Sequence, residues 1–280
     1  LLERSGIGRP EVLQRHGISL RHALPAVGEH MLDHMRACTS WRVRDAFTVN
    51  DIIRSPLGKL RGGLDFFVRR RGWLRTATMA AQLATRSSAA APHADIKVQI
   101  NAVGNDFSQP GQLAYPFERE KGLSLLTWPV YTRSQGRTHI TGRQPWDHPD
   151  IVTNFLSDPY DQALIVAGLR LTRVLARQPA LRRYLVSETF PGVDVETDDE
   201  LLDHARATGL TVYHPVSTCR MGAPGHGVVD AQLRVHGVPG LRIADASIMP
   251  TMPTSNTNAC SVMIGERAAH WALEAAQREA

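Results

Sequence analysis

Between residues 94 and 209 the spacing of apolar residues changes from two to about 3.6, and few folds accommodate that change. In ADIKVQINAV (94–103), Ile96, Val98 and Ile100 alternate with Lys97, Gln99 and Asn101, which predicts a strand with one buried face. LSLLTWPVY (123–131) and GRTHIT (136–141) read as two further strands, with Ser134-Gln135-Gly136 as turn material. Their short connections predict antiparallel pairing. A helix follows in SDPYDQALIVAGLRLTRVLARQP (157–179). Ser157 or Asp158 caps it, Pro159 fits its first turn, and Gln178-Pro179 stops it. Leu164, Gly168, Leu171 and Leu175 share one of its faces. Thr197-Asp198-Asp199-Glu200 is a capping box for a second helix ending at Gly209. Strands followed by helices predict an antiparallel sheet with flanking helices, an α+β layer and not a helical bundle.

The 280 residues, 42% hydrophobic and 21% charged, suffice for about two folded domains. No apolar run reaches the ~18 residues that a membrane-spanning helix needs. The cysteines Cys38, Cys219 and Cys260 are scattered and form no CxxC pair, which favours a reducing, cytoplasmic setting. The opening LLERSGIGRP has neither an initiator Met nor a signal-peptide pattern, so the chain is expected to start mid-protein. The net charge of +5 comes from Lys59, Lys97, Lys121 and 29 arginines spread along the whole length, against a nucleic-acid partner. The one cluster, Arg69, Arg70, Arg71 and Arg75 around Trp73, reads as a solvated loop face. Glu11–His16 reads as a helical turn ended by Gly17, and 18–34 as strand plus loop. In 41–93 Gly62-Gly63 interrupts any pattern, and 85–94 is small, polar and turn-rich.

The last 70 residues hold the chemistry. TVYHPVSTCRMG (211–222) places His214 at a bend, and LRVHGVPGLRIADAS (233–247) reads as a hairpin ending at Asp245. A polar, proline-punctuated loop then enters a closing helix, with Ala259, Val262, Met263 and Ala269 expected on its apolar side. Asp245, at a strand end, can accept hydrogen bonds from ribose or ribitol hydroxyls. The helix start after Asn256 offers unpaired N–H groups and partial positive charge to an anion or a reduced flavin, although Asn256 or Asn258 could equally serve only as a cap. His214 and Cys219 lack the further pair that would complete a metal site, so no metal is expected. Cys219 and Cys260 read as inert thiols, and no GxSxG, P-loop or GxGxxG occurs. Residues alone thus reach a ligand-binding α+β fold with a site in its C-terminal quarter.

Three stretches of that quarter resemble the glucose–methanol–choline (GMC) oxidoreductases, choline-dehydrogenase-like branch: HPVSTCRMG (214–222), VVDAQLRVHGVPGLRIADASIMP (228–250) and NTNACSVMIGERAA (256–269). SGIG (5–8) with LPAVGEHMLDH (24–34) resembles the family's second signature and the loop after it. SQGRTHITGRQPWDHPDIVTNFLSDPYD (134–161) is similar to its crossover between domains. The resemblance implies the C-terminal half of an FAD enzyme of mixed α/β to α+β class. Residues 1–40 would be a remnant of the FAD-binding domain, 41–205 the substrate-binding domain, and 206–280 the C-terminal part of the FAD-binding domain. It implies His214 as general base and Asn256 as second active-site residue, oxidising a small-molecule alcohol by hydride transfer to flavin N5. Asp245, Ala246, Asn256, Thr257 and Asn258 would contact FAD. The family's N-terminal βαβ unit with GxGxxG is the implied missing partner, without which the isolated chain is expected to be inactive. Ser217 stands where many members have Gly. A hydroxynitrile-lyase-like enzyme and a silent fragment or split-gene partner are the alternatives. Trp128, Phe155 and Tyr213 are possible pocket aromatics.

Overall fold

A computed structural model describes residues 1–75, 79–106 and 116–279. In chain order the strands are β1 (Ile7–Gly8), β2 (His22–Ala23), β3 (Met35–Val43), β4 (Met79–Thr85), β5 (Ile96–Asn101), β6 (Gly122–Pro129), β7 (Arg137–His139), β8 (Asp150–Val152), β9 (Leu185–Phe190) and β10 (Leu210–Thr211). The helices are α1 (Pro10–Arg15), α2 (Val49–Arg54), α3 (Pro56–Phe67), α4 (Pro159–Ala176), α5 (Pro179–Arg182), α6 (Asp198–Thr208) and α7 (Asn258–Glu279). They fall into two compact units. One comprises residues 1–34, 130–158 and 212–280, the other residues 35–129 and 159–211.

The second unit is a sheet in the order β10-β3-β6-β5-β4, with β9 beside β10 on the β3 edge, and every pairing is antiparallel. The alternation in β5 works as expected on one face. Ile96 and Val98 are buried with Trp41 and Leu125 against Leu164 and Ala176 of α4. Gly168 lets α4 lie close to β6, because a Cβ there would collide with the Thr127 hydroxyl. Thr39 of β3 and Thr172 of α4 tie the same layer through a 2.9 Å hydroxyl hydrogen bond. The capping box of α6 forms as read, with Thr197 and Glu200 holding each other's backbone N–H.

Several expectations fail here for identifiable reasons. Lys97, expected on a solvated face, is 8% exposed. Gly62-Gly63 does not interrupt structure: α3 runs through both, and Gly62 sits within contact distance of the Ile52 side chain of α2. The glycine face of α3 therefore packs, and Leu57, Leu60, Leu64 and Phe67 are exposed. Strand 136–141 does not join this sheet either. It becomes β7, which pairs with β8 in the other unit. The chain leaves the sheet at Pro129, which has no N–H to continue a ladder. The arginine cluster is exposed as read, with Arg69 and Arg71 paired to Asp65.

The first unit is mostly loops around one core of Leu32, Val216, Val228, Val229, Ile248 and Ile264 with their neighbours. Its loops are held by backbone bonds from distant segments. Gly28 donates to Thr218 O at 2.8 Å and accepts from Thr138 N at 2.7 Å. Gly28 has φ +80°, and a Cβ on it would strike the Thr138 carbonyl. An ionic chain, buried at Glu3 and exposed at Arg9, runs beside it. Glu3 Oε1 faces His139 Nδ1 at 2.7 Å, His139 Nε2 faces Glu29 Oε1 at 3.1 Å, and Arg9 donates to Glu29 at 2.5 Å. The hairpin expected at 233–247 is reduced to one antiparallel bridge, Arg234↔Arg242.

α7 corrects the sequence reading of its apolar side. Ala259, Val262, Met263 and Ala269 are exposed, while Ile264 is buried and Cys260, Ala268 and Trp271 pack on the core. The helix is apolar on two opposed faces, and periodicity alone does not say which one packs.

Candidate active site

His214 lies in the loop after β10, in a segment pinned from both sides. Val212 and Val216 bond to the backbone of His34 and Leu32, while Cys219 and Met221 donate to Ser247 O and Ile248 O. Tyr213 (φ +62°) makes the bend that turns the histidine inward. The backbone N–H of His214 donates to Asp33 Oδ1 at 3.0 Å, and its side chain is buried, with the residue 8% exposed. The loop is thus rigid on the scale that orienting a side chain requires.

The imidazole of His214 meets that of His34, which is 1% exposed. The rings sit edge to face with centroids 5.4 Å apart, and the two Nδ1 atoms are 3.1 Å apart. His34 Nε2 lies 2.9 Å from the Val130 carbonyl oxygen. A carbonyl only accepts, so His34 Nε2 carries a proton. With both rings neutral, His34 Nδ1 is then the acceptor and His214 Nδ1 the donor. His214 is left in the tautomer whose basic lone pair is at Nε2. Three atoms spread over the chain therefore set which nitrogen of His214 is basic.

Sequence reasoning named His214 but missed Asp33 and His34. The adjacent Asp-His pair lay inside the quoted LPAVGEHMLDH stretch. Its signal was two buried-capable polar residues at the end of an apolar segment, which no local pattern distinguishes from a loop end.

Ser217, the departure from the family's Gly, has φ +77°, a conformation that favours glycine. Its side chain is fully buried, and Oγ donates to Met249 O at 2.7 Å. That bond ties the His214 loop to the turn after Asp245 and offsets the strain of the left-handed backbone.

Asp245 opens a short turn, Ala246–Ile248, by accepting the Ser247 N–H at 2.8 Å. Its carboxylate is exposed, whereas Ile248 and Met249 just beyond are core residues. Thr257 O accepts the first bond of α7 from Ser261 N at 2.9 Å, so Thr257, and neither asparagine, ends the helical ladder. Asn256 and Asn258 stand exposed beside it. All of the candidate residues belong to the first unit, and hydrogen bonds join the His214 loop to the Asp245 turn. Asn256 is linked to them by chain and core packing alone among the described contacts.

The donor set suits a flavin. Exposed Asp245 offers acceptors to hydroxyls, and a 22-residue helix presents the N–H groups of its first turn beside Asn256 and Thr257. Cys219 is not a reactive thiol, since burial pushes its pKa up to about 11. No group of His, Cys, Asp and Glu suited to a metal occurs among the described residues. Of the aromatics singled out, Trp128 is buried with Cys38 and Leu126 in the second unit, and Tyr213 is largely exposed.

Comparison with known proteins identifies the lineage. The family model for GMC oxidoreductase matches residues 132–265. The oxygen-dependent choline dehydrogenase of Paraburkholderia xenovorans is 32% identical over 269 residues, which is 96% of this chain and 47% of that protein. The enzyme of the same name from Yersinia pseudotuberculosis is 34% identical over 96% of this chain and 46% of its own length. Among solved structures, pyridoxine 4-oxidase from Mesorbium loti superposes with TM-score 0.79 at 25% identity, covering 97% of this chain and 48% of that one. A formate oxidase from Aspergillus oryzae, in a structure concerned with FAD modification, gives TM-score 0.86 at 22% identity over 96% and 51%. The chain spans about half the length of the curated relatives it matches. Residues 132–265 thus carry a GMC oxidoreductase domain, and almost the whole chain aligns with relatives of that family of FAD-dependent enzymes, matching about half of their length.

Proposed function

We propose that this chain is the active-site-bearing part of an FAD-dependent oxidoreductase acting on CH–OH groups, with residues outside these 280 completing the flavin site. The observation that carries the reading is the bond chain Val130 O–His34–His214, which sets the basic nitrogen of His214. The length of the relatives and the absence of GxGxxG support a further βαβ segment that holds the pyrophosphate. Val262, Met263 and Leu273, exposed on α7, offer apolar surface that such a segment would bury.

FAD, when bound, supplies the two-electron oxidant. His214 Nε2 takes the hydroxyl proton of the alcohol as the carbon–hydrogen bond is oxidised. The resulting imidazolium keeps donating from Nδ1 to His34, so no rearrangement is needed when the proton arrives. The Asp33 carboxylate, bonded to the His214 backbone, places negative charge beside the new cation. Asn256 hydrogen-bonds the substrate oxygen and fixes its approach. Asp245 and Ala246 would hold the ribitol and phosphate region of FAD, and Asn256, Thr257 and Asn258, with the positive end of α7, would favour negative charge on it. In domain terms, the second unit, which makes up most of 41–205, supplies the substrate-binding part, and the first unit, which includes 130–158, the FAD-binding part.

Anaerobic mixing of the flavin-loaded protein, purified from its natural source, with an alcohol tests this reading. The expected result is bleaching of the flavin, slowed about 10²–10⁴-fold in His214→Ala. His34→Ala should retain flavin but alter the pH profile of bleaching, because the tautomer is no longer set. Bound flavin that no alcohol reduces would overturn the proposal in favour of lyase chemistry. A purified protein devoid of flavin would leave only the silent-fragment reading.

A further inference from the structure

The segment between β3 and β4 carries the positive charge that makes this chain basic. Residues 54–75 hold seven cations and one acid, a surplus of six, while the whole chain has a net charge of +5. Arginines occur along the whole length, but elsewhere acids offset them, so the rest of the chain sums to slightly negative. The single acid of the segment, Asp65, is shared by Arg69 at 3.0 Å and Arg71 at 3.5 Å. Arg54, Lys59, Arg61 and Arg70 are exposed and have no carboxylate partner among the described residues.

In the middle of this segment α3 reverses the usual order of an amphipathic helix. Ser55 caps it by accepting the Gly58 N–H at 2.9 Å, and Pro56 fits its first turn. Its inner face is glycine: a Cβ on Gly58 would strike the Asp51 carbonyl, and one on Gly62 would crowd the Ile52 side chain. At about 100° per residue, Leu57, Leu60, Leu64, Phe67 and Val68 form one stripe on the other side. Leu57, Leu60, Phe67 and Val68 are each at least 70% exposed, a contiguous apolar patch of the kind that marks an interaction surface. Arg61 borders the stripe on one flank and Lys59 on the other. A cavity of about 470 Å³ adjoins Leu57, with Phe47, Arg61 and Trp73 in its wall. The acids on that wall, Asp51 and Asp65, are paired with Lys121 at 3.3 Å and with Arg69 and Arg71, which leaves Arg61 to set its charge.

We infer that residues 54–75 are a docking surface for an anionic phospholipid bilayer. α3, with 12 residues, is too short to cross a bilayer and lies in the plane of its surface. The leucines and Phe67 enter the acyl boundary, and the exposed indole of Trp73 sits at the level of the headgroups. Lys59, Arg61 and Arg70 lay their aliphatic stems along the apolar surface and reach lipid phosphates with their charged ends. A nucleic acid would meet the cations but leave the leucines in water. A protein partner would have to bring an excess of carboxylates to the rim of an apolar patch. A bilayer with anionic lipid answers both features at once, and this assignment does not depend on the flavin chemistry.

Vesicle sedimentation of the protein purified from its natural source, wild type or variant, tests the inference. Vesicles of phosphatidylcholine mixed with phosphatidylglycerol should carry the protein down, and vesicles of phosphatidylcholine alone should not. Raising sodium chloride should weaken the binding. Leu60→Gln with Phe67→Gln should lower the partition coefficient at least tenfold, through lost apolar burial. Arg61→Gln with Arg70→Gln should lower it about tenfold or more, through lost charge. Failure to sediment with the mixed vesicles, or equal binding to both kinds, overturns the docking surface. So does full binding by the Leu60/Phe67 variant, which would leave charge alone at work. An oligonucleotide that binds that variant as well as the wild type and displaces the vesicles would assign the patch to nucleic acid instead. A lower melting temperature or flavin content in the Leu60/Phe67 variant would show the stripe covered by other protein, and equally overturns the inference. Sedimentation is read without any alcohol, so vesicle binding combined with failed bleaching would retain the docking surface and reject only the oxidoreductase reading.

Discussion

Glu3→Gln is the substitution that best tests how the first unit is held together. Both ring nitrogens of His139 face carboxylate oxygens, Glu3 at 2.7 Å and Glu29 at 3.1 Å, so both must donate and the ring is an imidazolium. The Glu3 side chain is 6% exposed and that of His139 12%, so solvent screens this pair little. The substituted amide carbonyl still accepts the Ile140 N–H that Glu3 Oε2 accepts at 2.9 Å. It no longer offers a charged acceptor to His139. Losing one charge-assisted bond in a buried pair costs about 2–3 kcal/mol. For a chain of this size that lowers the melting temperature by roughly 3–5 °C. The pH dependence has two limbs. The hydrogen bond and charge of Glu3, with help from Glu29, raise the His139 pKa above 6.5. That stability is complete below 6.5 and is lost as pH rises through the folded value. Burial pushes Glu29 up, but the Arg9 hydrogen bond and the His139 charge outweigh it and hold its pKa below 4.5. Its contribution is complete above 4.5 and is lost as pH falls through its folded value. The ionic chain therefore contributes most between pH 4.5 and 6.5. Thermal melts of the wild type and Glu3→Gln at pH 5 to 9 should differ most at the acid end and converge toward pH 9. Equal melting temperatures at pH 5.5, or a gap that widens with alkalinity, would refute the imidazolium assignment.

Two further outcomes follow from the His214 loop and the cysteines. Ser217→Ala keeps a Cβ at φ +77° and loses the bond to Met249 O, so it should cost about 1–2 kcal/mol in urea unfolding. Ser217→Gly relieves the backbone and should cost less. A larger loss in the glycine variant would show that chain entropy outweighs strain at this turn. Burial pushes the Cys38 thiol up to about 12 and Cys219 to about 11. Maleimide at pH 8 should leave both unmodified in the folded chain and label both in urea, as read by peptide mass. Labelling of Cys38 without denaturant would contradict its burial.

Local signals were legible in this sequence where one element decides its own fate. The Thr197–Glu200 box closes within a single turn, and β5 shows its inward face by alternation, so both could be read directly. Elements whose partner lies elsewhere could not. Arg137–His139 has the pattern of a strand, but only the exit of the chain at Pro129 assigns it to β8. Gly62 looks like a breaker until α2 is placed against it, where the missing side chain is what allows contact with Ile52. Lys97 obeys the alternation and is nonetheless buried, because burial depends on what lies over a face and not on the period.

The candidate site divides along the same line. His214, Asp245 and Asn256 could be named because each lies in a stretch with a family likeness. The residue that sets the proton on His214 is 180 positions away in sequence. A histidine's pattern of neighbours says nothing about its tautomer. That follows only from the next acceptor along the chain of bonds, here the Val130 carbonyl, 96 residues from His34. If this carbonyl were replaced by a donor, His34 would have to present its proton at Nδ1. His214 would then turn its lone pair inward, and the basic nitrogen at Nε2 would be lost with every side chain still in place. Which nitrogen of His214 is basic is thus a property of the bonded series, and single-residue recognition of His214 captures only its last member.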